Sequence, residues 1–171
     1  MKYTREGREV TYIHYGATEF LMSKFNPIRN EGKWVKPKGG LWASPTDHFD
    51  NTWADWCGCN DFRECTEENS FSFTMRDPSR IFFINSMEAW KEFERLYITK
   101  GKSRWMWDDG FCSGSDSIDF EKMVADGWDG LEISISEFSN MYNYLYCWDC
   151  DSIVVMNPDA VVIADICAEV A

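Results

Sequence analysis

The amino-acid sequence predicts a single α+β domain over residues 1–171. Two observations carry that reading. Apolar residues alternate at period two in short runs towards both ends of the chain, and they recur at helical spacing only in the stretch between. Helices gathered between strands, without strict strand–helix–strand alternation, fit a sheet with helices beside it.

The elements follow in order. In EVTYIHYG, residues 9–16, Val10, Tyr12 and His14 share one face while Thr11, Ile13 and Tyr15 share the other, as in a strand. A loop punctuated by Pro and Gly runs through NPIRNEGKWVKPKGG. LWAS is then a short strand, and SFSFTM and RIFFIN are two more. Ser86 is placed to cap a helix over MEAWKEFERLY, in which Trp90, Phe93 and Tyr97 fall on one face. Ser117 is placed to cap IDFEKMVAD, which Gly127 stops. Phe138, Met141, Tyr142 and Leu145, at i, i+3, i+4 and i+7, predict a third helix. The chain closes on SIVVM, an Asn157-Pro158-Asp159 turn and AVVIADI, read as a hairpin or as two adjacent strands.

Composition narrows the classes of function. No apolar run approaches the roughly 20 residues of a membrane helix, and the charged start MKYTREGREV lacks the apolar centre of a secretory signal. The expectation is a cytoplasmic protein with no membrane partner. The net charge of −12 is uneven: residues 1–40 hold 8 Lys/Arg against 4 Glu, and the remainder holds 9 basic and 25 acidic groups. An acidic chain repels phosphates and is a poor general binder of nucleic acid. The basic first quarter could hold something small and anionic, but charged loops around a neutral site are the expected reading of the asymmetry. With 9 Trp, 12 Phe and 7 Tyr, the chain has aromatic rings for a core, a stacking site or both.

The 7 cysteines, without an export signal, are expected as reduced thiols. His48, Cys57, Cys59 and Cys65 cluster in HFDNTWADWCGCNDFREC, and Cys147 and Cys150 form a distant CxxC. A zinc-stabilised interaction domain is one reading of these residues. Structural zinc usually takes paired knuckles, however, so small buried thiols are the expectation and no metal is assigned.

Two further features converge. His14 ends the first strand and is followed by Tyr15-Gly16, and KPKGGLWAS places Gly39-Gly40 directly before Leu41, Trp42 and Ser44. With DSIVV, beginning at Asp151, these segments resemble the ADP-ribosyltransferase superfamily, in its branch related to poly(ADP-ribose) polymerases and diphtheria toxin. HYG is similar to that family's His-Gly signature and KGGLWAS to its Gly-Lys-Gly-Ile-Tyr-Phe-Ala strand. A second aromatic follows eleven residues on, at Trp53, and the Trp-Cys pair is Trp56-Cys57. DSIVV matches the late strand that carries the catalytic acid. The resemblance covers the first third of the chain and one late strand.

It implies a split β-sheet core with flanking helices, and NAD as substrate. The bond between nicotinamide and ribose would break through an oxocarbenium-like transition state, which a fixed carboxylate stabilises more than it stabilises bound NAD. By resemblance Asp151 is that carboxylate, Asp149 is a second acid that helps position the acceptor, and Glu132 in WDGLEIS is the rival. His14 would hold the adenosine-side ribose, and the backbone of Tyr15 and Gly16 the carboxamide. Trp42 and either Trp53 or Trp56 would sandwich the ring. Ser44 would bind near the carboxamide, while Gly40, with Gly39, would let backbone and ligand approach beside Leu41. The acceptor is a macromolecule, a protein ahead of a nucleic acid, or water. Asp in place of the family's usual Glu keeps a second reading open, an inactive module of the same fold that binds a nucleotide or a protein. A small acidic chain of this kind would suit a bacterial or phage-encoded modifier.

Overall fold

The computed structural model describes residues 9–31, 35–47, 50–99, 117–140, 144–145 and 148–163. They form a mixed α+β fold built on one large, mostly antiparallel sheet. Its strands are β1 (Thr11–Tyr15), β2 (Leu41–Pro45), β3 (Ser70–Met75), β4 (Ile81–Ile84), β7 (Gly130–Ile133), β8 (Ser152–Val155) and β9 (Val161–Ile163), in the order β4-β7-β8-β2-β1-β3-β9. Two-residue strands β5 (Ile98–Thr99) and β6 (Ser117–Ile118) pair separately. Among the described strands only β4 and β7 run parallel, and the chain between them includes helices α2 (Met87–Tyr97) and α3 (Phe120–Ala125), the long crossover that a parallel pair requires.

Period-two alternation sorts the side chains onto two faces. Trp42, Val154, Leu131 and Phe82 lie opposite one another across β2, β8, β7 and β4. That face packs on Trp90, Phe93 and Tyr97 of α2, on Phe120 and Met123 of α3, and on Ile28 and Val35 of the loop before β2. Tyr12, Leu41, Ala43, Phe73, Ile153 and Val155 make a second cluster on the other face. Each fully buried large apolar side chain contributes roughly 1.5–3 kcal/mol.

The α2 prediction holds to the residue. Ser86 accepts a hydrogen bond from the Ala89 amide, and Ala89, Trp90, Phe93 and Tyr97 are buried along one stripe. For α3 the cap is Asp119, which accepts from the Lys122 amide, and not Ser117. Ser117 stands two residues too early, and its backbone is committed to pairing with Thr99. Gly127 does end this helix, with φ +80°.

Of the stretch read as a third helix, residues 135–137 and 139–140 form turns and Tyr144 is helical, while Met141 and Tyr142 lie outside the described residues. One expectation gives way. The last two strands are not neighbours, since β2, β1 and β3 separate β8 from β9. Asn157 explains this. Its side chain donates to Asp129 at 2.7 Å and caps the short turn Pro158–Ala160, after which the Arg76 amide takes the Ala160 carbonyl at 2.8 Å and draws the chain to the far edge beside β3.

The junction of β1 and β2 positions the site. β1 pairs with β3 over five residues but with β2 over two, Tyr12 with Pro45 and Ile13 with Ser44. Beyond Ile13 that ladder stops while β2 pairs with β8 through Leu41, Trp42 and Ala43. Gly39 and Gly40, at φ +83° and +74°, make the bend into β2. A Cβ on Gly39 would lie 2.4 Å from the Pro27 carbonyl oxygen, and one on Gly40 2.8 Å from Val154 Cγ2. Close packing of the chain on itself, not room for a ligand, therefore requires both glycines.

Candidate active site

A cleft of about 380 Å³ opens where β1 and β2 part. Such a volume lies in the range of small-molecule sites. His14 and Tyr15 line it from β1, Trp42 and Ser44 from β2, Trp53 from helix α1 (Trp53–Cys59), and Asp149, Cys150 and Ser152 from the approach to β8. Lys36, Arg63 and Trp148 complete its walls.

His14 stands where the ladder ends. A carbonyl can only accept, so the 2.6 Å contact with the Trp42 oxygen places the proton on Nδ1 and makes the imidazole the donor. The ring also packs on Phe71, centroids 5.1 Å apart. Burial lowers the His14 pKa below its ordinary value of 6.5; the bond to Trp42 opposes the shift, and the Arg63 charge adds to it. The imidazole is therefore neutral at pH 7, and its Nε2 carries a lone pair that no described residue engages. The sign of the pH effect follows. The unfolded chain binds the His14 proton more readily than the folded one, so stability is lost progressively as pH falls below about 6.5. His14→Asn, which keeps a donor near Nδ1 and does not titrate, is expected to flatten that limb in thermal melts taken between pH 7 and pH 5; an unchanged limb would assign it to other groups.

The two aromatic walls differ in construction. Trp42 rests on buried Trp148, centroids 4.7 Å apart, and the Trp148 indole N–H is fixed to the Val35 carbonyl at 3.0 Å. Trp53 opens α1, where Thr52 forms a capping box with Asp55. Trp56 stacks behind Trp53 at 5.1 Å and 10°, with Phe62 edge-on to both. Trp53 is thus the second wall and Trp56 its support. Ser44 ties the walls together, its hydroxyl oxygen accepting the Trp53 amide at 2.9 Å. Because Ser44 is two residues from Trp42 on the same strand, one face of β2 supplies one wall and anchors the other.

The acids separate sharply. Asp149 lines the cleft, half-buried, and no described residue hydrogen-bonds its carboxylate. Asp151 is 0 % exposed and does not line it. Its oxygens accept the amides of Ile135 and Ser136 at 2.5 and 3.0 Å and the hydroxyls of Ser134 and Ser136. The reason is local: Ser152, next along the chain, heads β8 facing the cleft, so Asp151 turns the other way and holds the turn after β7. Asp151 is a structural carboxylate here, against the expectation from sequence. Glu132 is 1 % exposed, accepts the Tyr12 hydroxyl at 2.8 Å and shares the opposite sheet face with Ile153.

Of the predicted binding residues, His14, Tyr15, Trp42, Ser44 and Trp53 meet in the cleft. Leu41 is buried in the other cluster, and Gly40 packs on β8. Gly16 sits at the rim, where an added Cβ would be 3.5 Å from an Arg63 nitrogen and 4.0 Å from His14 Nε2. Sequence reading missed Arg63, Trp148 and Ser152; a lone Arg in an acidic loop carries no signal, and Trp148 reads as core.

The thiols are protonated at neutral pH where they bear on the site. Burial pushes Cys150 up to about 11, and burial with the Cys57 thiol pushes Cys65 up to about 11. His48 and Cys147 lie outside the described residues, among which no three His, Cys, Asp or Glu side chains converge as a metal site. No described helix is long and apolar enough to cross a membrane. No family model, curated protein or solved structure matches the chain.

Proposed function

We propose that the cleft binds NAD and breaks its nicotinamide–ribose bond, transferring ADP-ribose to a macromolecule or to water. One observation carries this reading. An imidazole ending the first strand, an indole on the second and a free carboxylate ahead of a late strand, residues far apart in the chain, line one hollow where two strands diverge. The split between β1 and β2 is also what the ADP-ribosyltransferase resemblance implies for the sheet.

Asp149 replaces Asp151 as the acid of the reaction. The bond from ribose C1′ to the pyridinium nitrogen breaks with its electron pair going to nicotinamide, which leaves neutral. The ribosyl centre left behind is positive, and a fixed carboxylate beside it stabilises that charge in a site where water is partly excluded. An oxygen or nitrogen of the acceptor then bonds to C1′ and its proton passes to solvent. His14 Nε2 accepts a hydrogen bond from a ribose hydroxyl, and Trp42 and Trp53 flank the ring.

A second reading has an observation of its own. Ser152, not an acid, faces the cleft from the head of β8, as suits a module that holds a nucleotide without cleaving it. Incubating the protein with NAD, with and without cell lysate, separates the two. Release of nicotinamide above the uncatalysed rate supports the enzyme; binding of NAD in calorimetry without release assigns the module; neither result removes both.

A further inference from the structure

Granting that this cleft takes the nicotinamide ring, we infer that Lys36 and Arg63 cover its tryptophan walls and that a ligand's phosphates draw them off. Lys36 Nζ sits 5.6 Å from the Trp42 ring centroid, and the Arg63 guanidinium carbon 5.4 Å from that of Trp53. Each of the two stacking indoles thus already has a cation over it. Neither cation forms an ion pair with any described residue, in a chain with 29 acidic side chains and a net charge of −12.

An indole face attracts a guanidinium or ammonium weakly, and an exposed contact of this kind is readily exchanged. A phosphate offers both cations a stronger partner, with Arg able to bind it through two N–H groups at once. Moving Lys36 and Arg63 onto phosphates would bare the two indoles at the moment a ring arrives to stack on them. Ring and phosphate binding are then coupled, and the coupling works in both directions. Ligands with both parts are favoured over either part alone, which selects a pyrophosphate-bearing dinucleotide over free bases and nucleosides. The cations are specificity-determining residues and take no part in bond breaking.

Calorimetry with two probes that undergo no turnover tests this: nicotinamide, and inorganic pyrophosphate as the anion alone. Saturating pyrophosphate is expected to tighten nicotinamide binding to the natural protein by roughly five- to thirtyfold, the effect of removing two weak cation–ring contacts. The Lys36→Gln, Arg63→Gln double variant is expected to bind nicotinamide that much more tightly unaided and to ignore pyrophosphate. If the natural protein binds nicotinamide but neither pyrophosphate nor the double substitution changes its affinity, the cover is refuted and the NAD reading stands. Competition between the two probes would refute it as well. If nicotinamide binds neither protein, the stacking walls themselves are wrong and the cover falls with them.

Discussion

Asp149→Asn is expected to lower nicotinamide release from NAD by on the order of a hundred- to a thousandfold, the usual consequence of losing one preorganised group at a developing charge. The same change should leave the melting temperature within about 2 °C. Both expectations rest on one property of Asp149: it lines the cleft and no described residue hydrogen-bonds it. A carboxylate that stabilises no turn or helix can be neutralised without penalty to the fold. Its charge matters when the glycosidic bond breaks, because the transition state is more positive at ribose than bound NAD is. Asn is the informative replacement, since it keeps size and hydrogen-bonding reach while removing the charge. Undiminished release by folded Asp149→Asn protein would end the assignment.

The contrast between the two neighbouring acids shows how far sequence reading reached. Strand β1, helix α2 with its Ser86 cap, and the SFSFTM strand were legible because periodicity, capping chemistry and turn residues agree there. The hollow was half legible: the family resemblance pointed to His14, Trp42, Trp53 and Asp149, but it made Asp151 the reacting carboxylate and Asp149 only the second acid. Both acids precede β8, and what separates them is that Asp151 is held by the amides of the turn after β7, a long-range contact that no local pattern encodes. With β8 starting at Ser152, Ser152 faces the cleft and Asp151 does not. The cation cover was invisible for another reason. Arg63 reaches Trp53 through the turn after α1, a fold-back with no periodic signature, and α1 was itself missed because seven residues are too few for its pattern to stand out. The placement of β9 beside β3 depends on pairing at long range, which no local pattern encodes.

Asp151→Ala should damage the protein in a different way, lowering stability by about 3–5 kcal/mol and the melting temperature by roughly 6–20 °C for a chain of this size. The substitution removes the acceptor for two backbone amides and two hydroxyls at once. The amides of Ile135 and Ser136 then have no acceptor in a place that water reaches poorly, and each unsatisfied donor costs about 1–3 kcal/mol. The turn so loosened leads out of β7, and the Asp151 amide itself donates to the Asn51 carbonyl at 2.8 Å, just ahead of α1. Loss of this carboxylate therefore loosens both the strand behind the cleft and the helix that carries Trp53. Activity should fall with it, but in proportion to the folded fraction: at a temperature well below its own melting point, Asp151→Ala should release nicotinamide within about tenfold of the natural rate, where Asp149→Asn does not. Thermal melts paired with release assays on both variants decide the matter. A stable but inactive Asp151→Ala protein would return the chemistry to Asp151, and with it the requirement that the turn after β7 open during the reaction.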